Sequence, residues 1–338
     1  MRARFLVLAS LTIAPTLAHA DAAKAWATAK ANLPADASLV AGVNVSAIAS
    51  TQVFKDMFPK LVASNADFKD FLDLAKTQCQ IDPIASVGGV VVAADATKSS
   101  GVVYVSLNGV TQDKLAACAD KIAKAKASND KLTFKKDGNI IEVTSATKNK
   151  SVFFGWATPD VMVIPKDGDK AVLQKWMGGK GAFAKSSLGM VTGKVKTTSA
   201  VWAATSEGRT LQTGMNMKAG YGDLDDVKGT ISIGVHIQLG NPAEAAKTAT
   251  EMNTQLTQAK NGGGLPAMFG AILQNLTIKA NGDELVLATN AAEKDVISLA
   301  QMLISMSGMG SSSSPAVTPA PPPPAPHDKA PGLGGAKP

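Results

Sequence analysis

Histidine is nearly absent: the 338 residues hold three, His19, His236 and His327. That scarcity removes the usual general base from most of the chain. It also removes the usual zinc donor, and two widely spaced cysteines do not make up the deficit. His327 stands in a proline-rich stretch that gives it no fixed neighbours. His236 alternates with Val235 and Ile237, so its side chain is expected on the face opposite those apolar residues, towards solvent.

Aromatic side chains are only 5% of the chain, too few to stack successive bases or to line a sugar cleft. Charge is also diffuse. Of the 34 lysines and arginines, Arg2 and Arg4 belong to an N-terminal leader, leaving 32 against 27 acidic side chains and a net of +5. Such a sum, with clusters no larger than Lys135-Lys136, does not form a phosphate-tracking stripe, and nucleic acid is excluded as an expected partner.

Catalytic motifs are missing as well. No G-x-S-x-G occurs. Gly88-Gly89 and Gly262-Gly263-Gly264 lack the lysine and hydroxyl of a phosphate loop and the full dinucleotide pattern. Asp223-Leu224-Asp225-Asp226 lacks the spacing of a calcium loop and reads as a solvated turn. Met215 with Met217, and Met302, Met306 and Met309, offer thioethers for cuprous copper, but methionine at helical spacing fills core gaps more often than it binds metal. A glycosidase-like carboxylate pair leaves no local signature, and the shortage of aromatics counts against it. No enzyme activity, cofactor or metal is expected.

What is present begins with MRARFLVLASLTIAPTLAHA, two arginines, an apolar run and a small-residue end, the pattern of a secretory signal peptide over 1–20. Export to a periplasmic or extracellular setting follows. From Ser311 to the end, SSSSPAVTPAPPPPAPHDKAPGLGGAKP has almost no side chains for a core and reads as a disordered, partly polyproline II tail.

Between these ends the chain matches itself. Leu132-Thr133-Phe134-Lys135-Lys136-Asp137-Gly138 and Leu276-Thr277-Ile278-Lys279-Ala280-Asn281-Gly282 are strands closing on hairpin turns. Upstream, Val103, Val105 and Leu107 correspond to Ile233, Val235 and Ile237 at a constant spacing of 130. The helices that follow keep the spacing, with Leu115, Ala119 and Ile122 matched by Ala245, Ala249 and Met252. Asn241-Pro242-Ala243-Glu244 and Asn290-Ala291-Ala292-Glu293 look like capped helix starts. The expected class is α+β, two duplicated repeats of antiparallel sheet with helices packed on one face, spanning 21–195 and 196–310. The stretch Val296 to Met306 is interrupted by Ser298, Gln301 and Ser305 and follows a helical period, so it reads as a last packed helix rather than a membrane span.

Cys79 and Cys118 are the chain's two cysteines. In an oxidising compartment an even count favours a pair. Cys118 lies beside the apolar stripe of its helix, and Cys79 ends a helical region before Gln80-Ile81-Asp82-Pro83. Two buried free thiols are the alternative to a bridge. The second copy has Thr248 where the first has Cys118, so the pair serves no chemistry shared by the copies.

The stretch L-P-A-D-A-S-L-V-A-G-V-N-V from Leu33, with T-Q-V-F-K-D-M-F-P ending at Pro59 and C-Q-I-D-P-I-A-S-V-G-G-V from Cys79, resembles uncharacterised exported bacterial proteins built from α+β repeats. The resemblance covers about the first 165 residues. It implies an envelope or secreted setting and assigns no activity. The sequence thus leads to a non-catalytic exported protein that binds an envelope protein or a cell-wall polymer, or else carries a small apolar ligand between its sheet and helices.

Overall fold

Capping residues divide the first part of the chain. The computed structural model describes residues 20–125, 132–145, 150–210, 215–261, 270 and 272–298. The expected leader lies outside them up to residue 19, and so do the proline-rich tail and most of the expected last helix. Helix α1 (Ala20–Asn32) precedes strand β1 (Leu39–Asn44). Three helices then follow almost without a break, α2 (Val45–Ser50), α3 (Gln52–Ser64) and α4 (Ala66–Cys79). Each starts where a side-chain oxygen takes a free backbone N–H: Asn44 from Ala47, Thr51 from Phe54, Asn65 from Phe68. Gln80 in the left-handed conformation ends α4, and Asp82 caps the short α5 (Pro83–Ser86).

Strands β2 (Val87–Asp95) and β3 (Ser100–Leu107) lead into α6 (Gln112–Ala125), and a meander follows of β4 (Leu132–Asp137), β5 (Ile140–Ser145), β6 (Lys150–Thr158) and β7 (Val161–Pro165). Helices α7 (Lys170–Met177), capped by Asp169, and α8 (Ser187–Thr192), capped by Ser186, close the first half. The second half has β8 (Val201–Thr205), a small β9–β10 ribbon (Arg209–Thr210, Asn216–Met217), β11 (Ala219–Val227), β12 (Thr230–Gln238), α9 (Pro242–Asn261), β13 (Thr277–Asn281) and β14 (Glu284–Ala292). At the start of α9, Asn241 accepts from the Glu244 N–H while the Glu244 carboxylate accepts from the Gly240 N–H.

Both halves enter one antiparallel sheet of twelve strands, ordered β13-β14-β12-β11-β8-β1-β2-β3-β7-β6-β5-β4. The join is the β1–β8 ladder, from Leu39 opposite Thr205 to Val43 opposite Val201. Outward from it, β2 and β3 mirror β11 and β12. The two hairpins that match in sequence do not take matching places. The β13–β14 hairpin lies directly against β12, whereas β4–β5 lies at the far edge, because β6 and β7 stand between it and β3.

The class is α+β with an antiparallel sheet. Helices were expected on one face, and they cover parts of both. Strand β3 shows the reason, since its residues are apolar on both sides. Val102 and Tyr104 turn to α1 and α7, while Val103, Val105 and Leu107 turn to α4 and α6. The first of these faces holds the larger core. Ala25 and Ala29 of α1, Leu33 just after it, Leu173 and Trp176 of α7, and Phe183 and Leu188 are fully buried against Val40, Val91, Val161 and Val163. The Tyr104 hydroxyl donates to the Trp176 carbonyl, and the Trp176 indole N–H donates to Ser100 Oγ at 3.0 Å.

Trp26 meets Trp202 edge-on, with ring centroids 4.8 Å apart, at the join between the halves. A Cβ on Gly42 would fall inside the Trp202 indole, so β1 needs glycine there for β8 to lie beside it. Gly42→Ala should therefore lower stability by about 1–3 kcal/mol, read as a lower urea midpoint at unchanged slope. An unchanged midpoint would mean that the indole is free to move aside.

Candidate binding site

Alternation puts one set of β1 residues, Val40 and Gly42, under α1 and the other, Leu39, Ala41 and Val43, on the opposite face. The register carries that second set across the sheet. Ala41 lies opposite Val92 of β2 on one side and Ala203 of β8 on the other. Ala203 lies opposite Gly222 of β11, and Gly222 opposite Val235 of β12. The row continues through Val103 and Ile164 on one flank and Leu287 and Ile278 on the other. No polar side chain interrupts it.

The row is covered over Val103 and over Leu287 and exposed between them, and beyond Val103 it is exposed again at Ile164. On one side Val103 and Val105 lie under Leu115, Cys118 and Ile122 of α6. On the other, Ile237, Leu285 and Leu287 lie under Ala245, Ala249 and Met252 of α9. Between them Val92 is 41% and Val235 38% exposed, and Ala203 is exposed. The small residues Ala41, Ala203 and Gly222 form the floor of a trough. Leu39, Thr205 and Ile237 stand along one side of it, and Val201, Leu224 and Ile233 along the other. Four strand spacings separate Val92 from Val235, or about 19 Å. The hollow over the β8, β11 and β12 part of this face has a volume of about 500 Å³. That falls within the size range of cavities that hold small molecules.

Its chemistry is uniform. Leu39, Val201, Ala203, Leu224, Ile233 and Val235 line it. The one hydroxyl on this face of the trough, Thr205 Oγ1, donates to the Ser38 carbonyl and accepts from the Glu207 N–H. Tyr221, Asp223 and His236 also border the hollow but alternate to the opposite face of the sheet, so among the described residues the strand side chains facing it are mainly apolar. At one end of the sheet a polar hollow lies between α2, α3 and the β11–β12 turn, lined by Asn44, Thr51, Lys55, Lys228 and Glu293. There the Glu293 carboxylate accepts from the Val53 N–H in the first turn of α3 at 3.0 Å. The expected helix start at Asn290 is therefore displaced. Asn290 lies within β14, the helix runs over 293–298, and Glu293 caps a different helix.

The two cysteines lie in the buried cluster at one flank of the row. Cys79 at the end of α4 and Cys118 on α6 form a disulfide with Cα atoms 5.0 Å apart, packed with Ile81, Val105, Leu107 and Val110. The bridge holds α4 against α6, and α6 against the sheet.

His236 is not simply solvent-facing as the alternation suggested. It lies on the covered face with its ring stacked on Tyr221, centroids 4.4 Å apart. Its Nδ1 is buried 3.6 Å from Glu284 Oε2. Glu284 also accepts from the Tyr221 hydroxyl at 3.1 Å and from Lys194 at 2.6 Å. Burial works against its ionisation, but the hydrogen bonds from Lys194 and Tyr221 outweigh burial and hold its carboxyl below the usual range. Burial, and then the Glu284 carboxylate, push the Tyr221 phenol up to about 12. The acidic run expected as a turn is strand instead: Asp225 pairs with Lys196 and accepts from Ser199 and the Ala200 N–H, and Asp226 accepts from the Gly229 N–H. Met215 packs in the core beneath α9. Among the described residues no cluster of metal-binding side chains occurs, and no helix is long and apolar enough to cross a membrane.

No protein-family model matches this chain, and no curated protein matches it. The resemblance to exported α+β repeat proteins thus has no family behind it. Among solved structures, crystal form III of TP0453 is similar over 81% of this chain and 97% of that chain, at 13% identity and a TM-score of 0.48. Crystal form I of TP0453 is similar over 82% and 96%, at 13% identity and a TM-score of 0.46. Likenesses at this level carry nothing about function.

Two outcomes follow for the supports of the site. Closing a loop of 39 residues stabilises by roughly 4 kcal/mol in the chain-entropy limit. Cys118→Ser should lower the unfolding free energy by several kcal/mol, and should also expose α6 amides first in hydrogen exchange. Global loss without that local signature would mean that the bridge does not anchor α6. For Glu284, a lowered folded pKa means stability present above the ordinary value of 4.5 and lost as the pH falls through the folded value. Glu284→Gln should flatten the acid limb of the stability profile, and an unchanged limb would assign that loss to other carboxylates.

Proposed function

We propose that the chain is a non-catalytic exported binding protein that holds an extended apolar ligand, of the acyl-chain kind, along the trough from Val92 to Val235. The observation that carries this reading is the uninterrupted apolar row across the sheet, covered by α6 over Val103 and by α9 over Leu287 and exposed between them. A contiguous exposed apolar strip is one of the marks of a binding surface. The small floor residues Ala41, Ala203 and Gly222 give depth, and the β-branched and leucine walls give apolar contact without directed hydrogen bonds. Such a site recognises shape and length more than polar detail.

Export rests on the leader-like N-terminus and on a disulfide, a bond that persists in oxidising compartments. The reading as a non-enzyme rests on the chemistry of the trough walls, which supply no group able to move a proton or attack a substrate. A cell-wall polymer, one of the other partner classes drawn from the sequence, fits this face less well. A polysaccharide would find no exposed aromatic ring to stack on along the trough.

Ala203 is exposed, so a larger side chain there fills the trough without disturbing the core. With a fluorescent long-chain fatty acid as probe, Ala203→Trp should weaken binding by about tenfold or more, equivalent to about 1.4 kcal/mol, at an unchanged melting temperature. Equal affinity in both proteins, or no binding by either, would overturn the reading.

A further inference from the structure

Beyond one wall of the trough lies the polar hollow between α2, α3 and the β11–β12 turn, about 650 Å³ in volume and so within the range of ligand sites. The register fixes where it stands. Alternation places Asp226 on the same face of β11 as Gly222 and Leu224, and Asp226 lies opposite Ile231, two positions before Ile233. Leu224 and Ile233 line the trough and Asp226 lines the hollow, with one strand repeat of about 7 Å from Leu224 to Asp226. Glu293 stands beside the same turn: its N–H donates to the Gly229 carbonyl, and its carboxylate accepts from the Val53 N–H.

The charges around the hollow are balanced in number and unequally engaged. Asp225 is paired with Lys196. Asp226 takes the Gly229 N–H on Oδ1 and Glu293 takes the Val53 N–H on Oε1, so each carboxylate keeps a second oxygen with no partner among the described residues. Lys55, in the first turn of α3, and Lys228, in the β11–β12 turn, are exposed, and among the described residues their ammonium groups form no hydrogen bond or ion pair. Two ammonium groups and two carboxylates therefore border one cavity, drawn from both halves of the chain. A purely anionic or purely cationic molecule would meet like charge there.

We propose that this hollow binds the zwitterionic headgroup of the amphiphile whose acyl chain lies in the trough, with a phosphate on Lys55 and Lys228 and an ammonium on Asp226 and Glu293, as in a phosphoethanolamine lipid. A phosphate can take a charged donor from each lysine at once, and an ammonium has three donors for the open carboxylate oxygens. Placing one molecule in both hollows rests on the trough being an acyl-chain site. The headgroup chemistry does not.

The test uses the full mature chain and three probes: a lysophosphatidylethanolamine, the monoacylglycerol with the same acyl chain, and free phosphoethanolamine. The unaltered protein is compared with the double variant Lys55→Gln, Lys228→Asn and with Ala203→Trp. Asparagine suits position 228, where φ is 54°. The unaltered protein is expected to bind the lysolipid about tenfold or more tighter than the monoacylglycerol. The double variant is expected to lose that difference while holding the monoacylglycerol as before, at an unchanged melting temperature. Equal affinity of the unaltered protein for the two lipids would overturn the proposal, and so would a difference that survives in the double variant. Ala203→Trp separates the two readings. It should weaken both lipids and leave phosphoethanolamine binding unchanged. If phosphoethanolamine binds and needs the lysines while Ala203→Trp leaves the lysolipid unaffected, the hollow takes a free zwitterion, the single amphiphile is overturned, and the acyl-chain reading of the trough fails separately.

Discussion

The β1–β8 ladder is the interaction on which the rest of the molecule depends. Without it each half would present an open strand edge with unpaired N–H and C=O groups at what is now the middle of the sheet. Pairing β1 with β8 removes both edges at once and aligns Ala41 with Ala203, so that the small residues of each half form one floor. The same ladder places Gly42 beside Trp202 and lets that indole reach Trp26 of α1. Continuity of the sheet and depth of the trough thus have a common cause.

The two faces then divide the labour. One is closed by α1, α7 and α8 over a dense core that includes Trp176, Tyr104 and Phe183. The other is closed only at its flanks, where α6 and α9 occupy equivalent places in the two halves. Burial of apolar surface contributes about 25 cal/mol per Å², so a strip left bare forgoes stability that a further helix would have supplied. The strand residues on that strip are small or aliphatic and not charged, which is the composition of a surface that expects cover.

Much of this was legible in the sequence, and the exceptions have identifiable reasons. The spacing of 130 between Val103, Val105 and Leu107 and their counterparts exposed the duplication because both sets alternate within strands and precede helices of the same period. Hairpin chemistry at Asp137-Gly138 and Asn281-Gly282 located two turns correctly but could not place them in the sheet, since turn residues fix local register and say nothing of which strand lies next door. The trough was missed for a related reason. Ala41, Ala203 and Gly222 lie on three separate strands and become a row only through register. The signal that could have pointed to them is that β1 and β8 are apolar at consecutive positions, with small residues recurring on one side. His236 was misjudged because alternation says which face a residue is on, while only the fold says what covers that face. The Asp223 to Asp226 run looked like a turn because three carboxylates are unusual in a strand. Lys196, Ser199 and the Ala200 N–H make it tolerable by pairing with Asp225.

Glu293 and Val53 are 240 positions apart, and that distance has a consequence for how the chain reaches its native state. The head of α3 does not receive this acceptor until nearly all of the sheet has been synthesised, and β1 likewise waits for β8 before its second edge is satisfied. Contacts of such long range slow folding, because the intervening chain must be ordered before they form. The first half is thereby left incomplete as an early folding unit, and the chain commits to its final form late, when its last strand is in place.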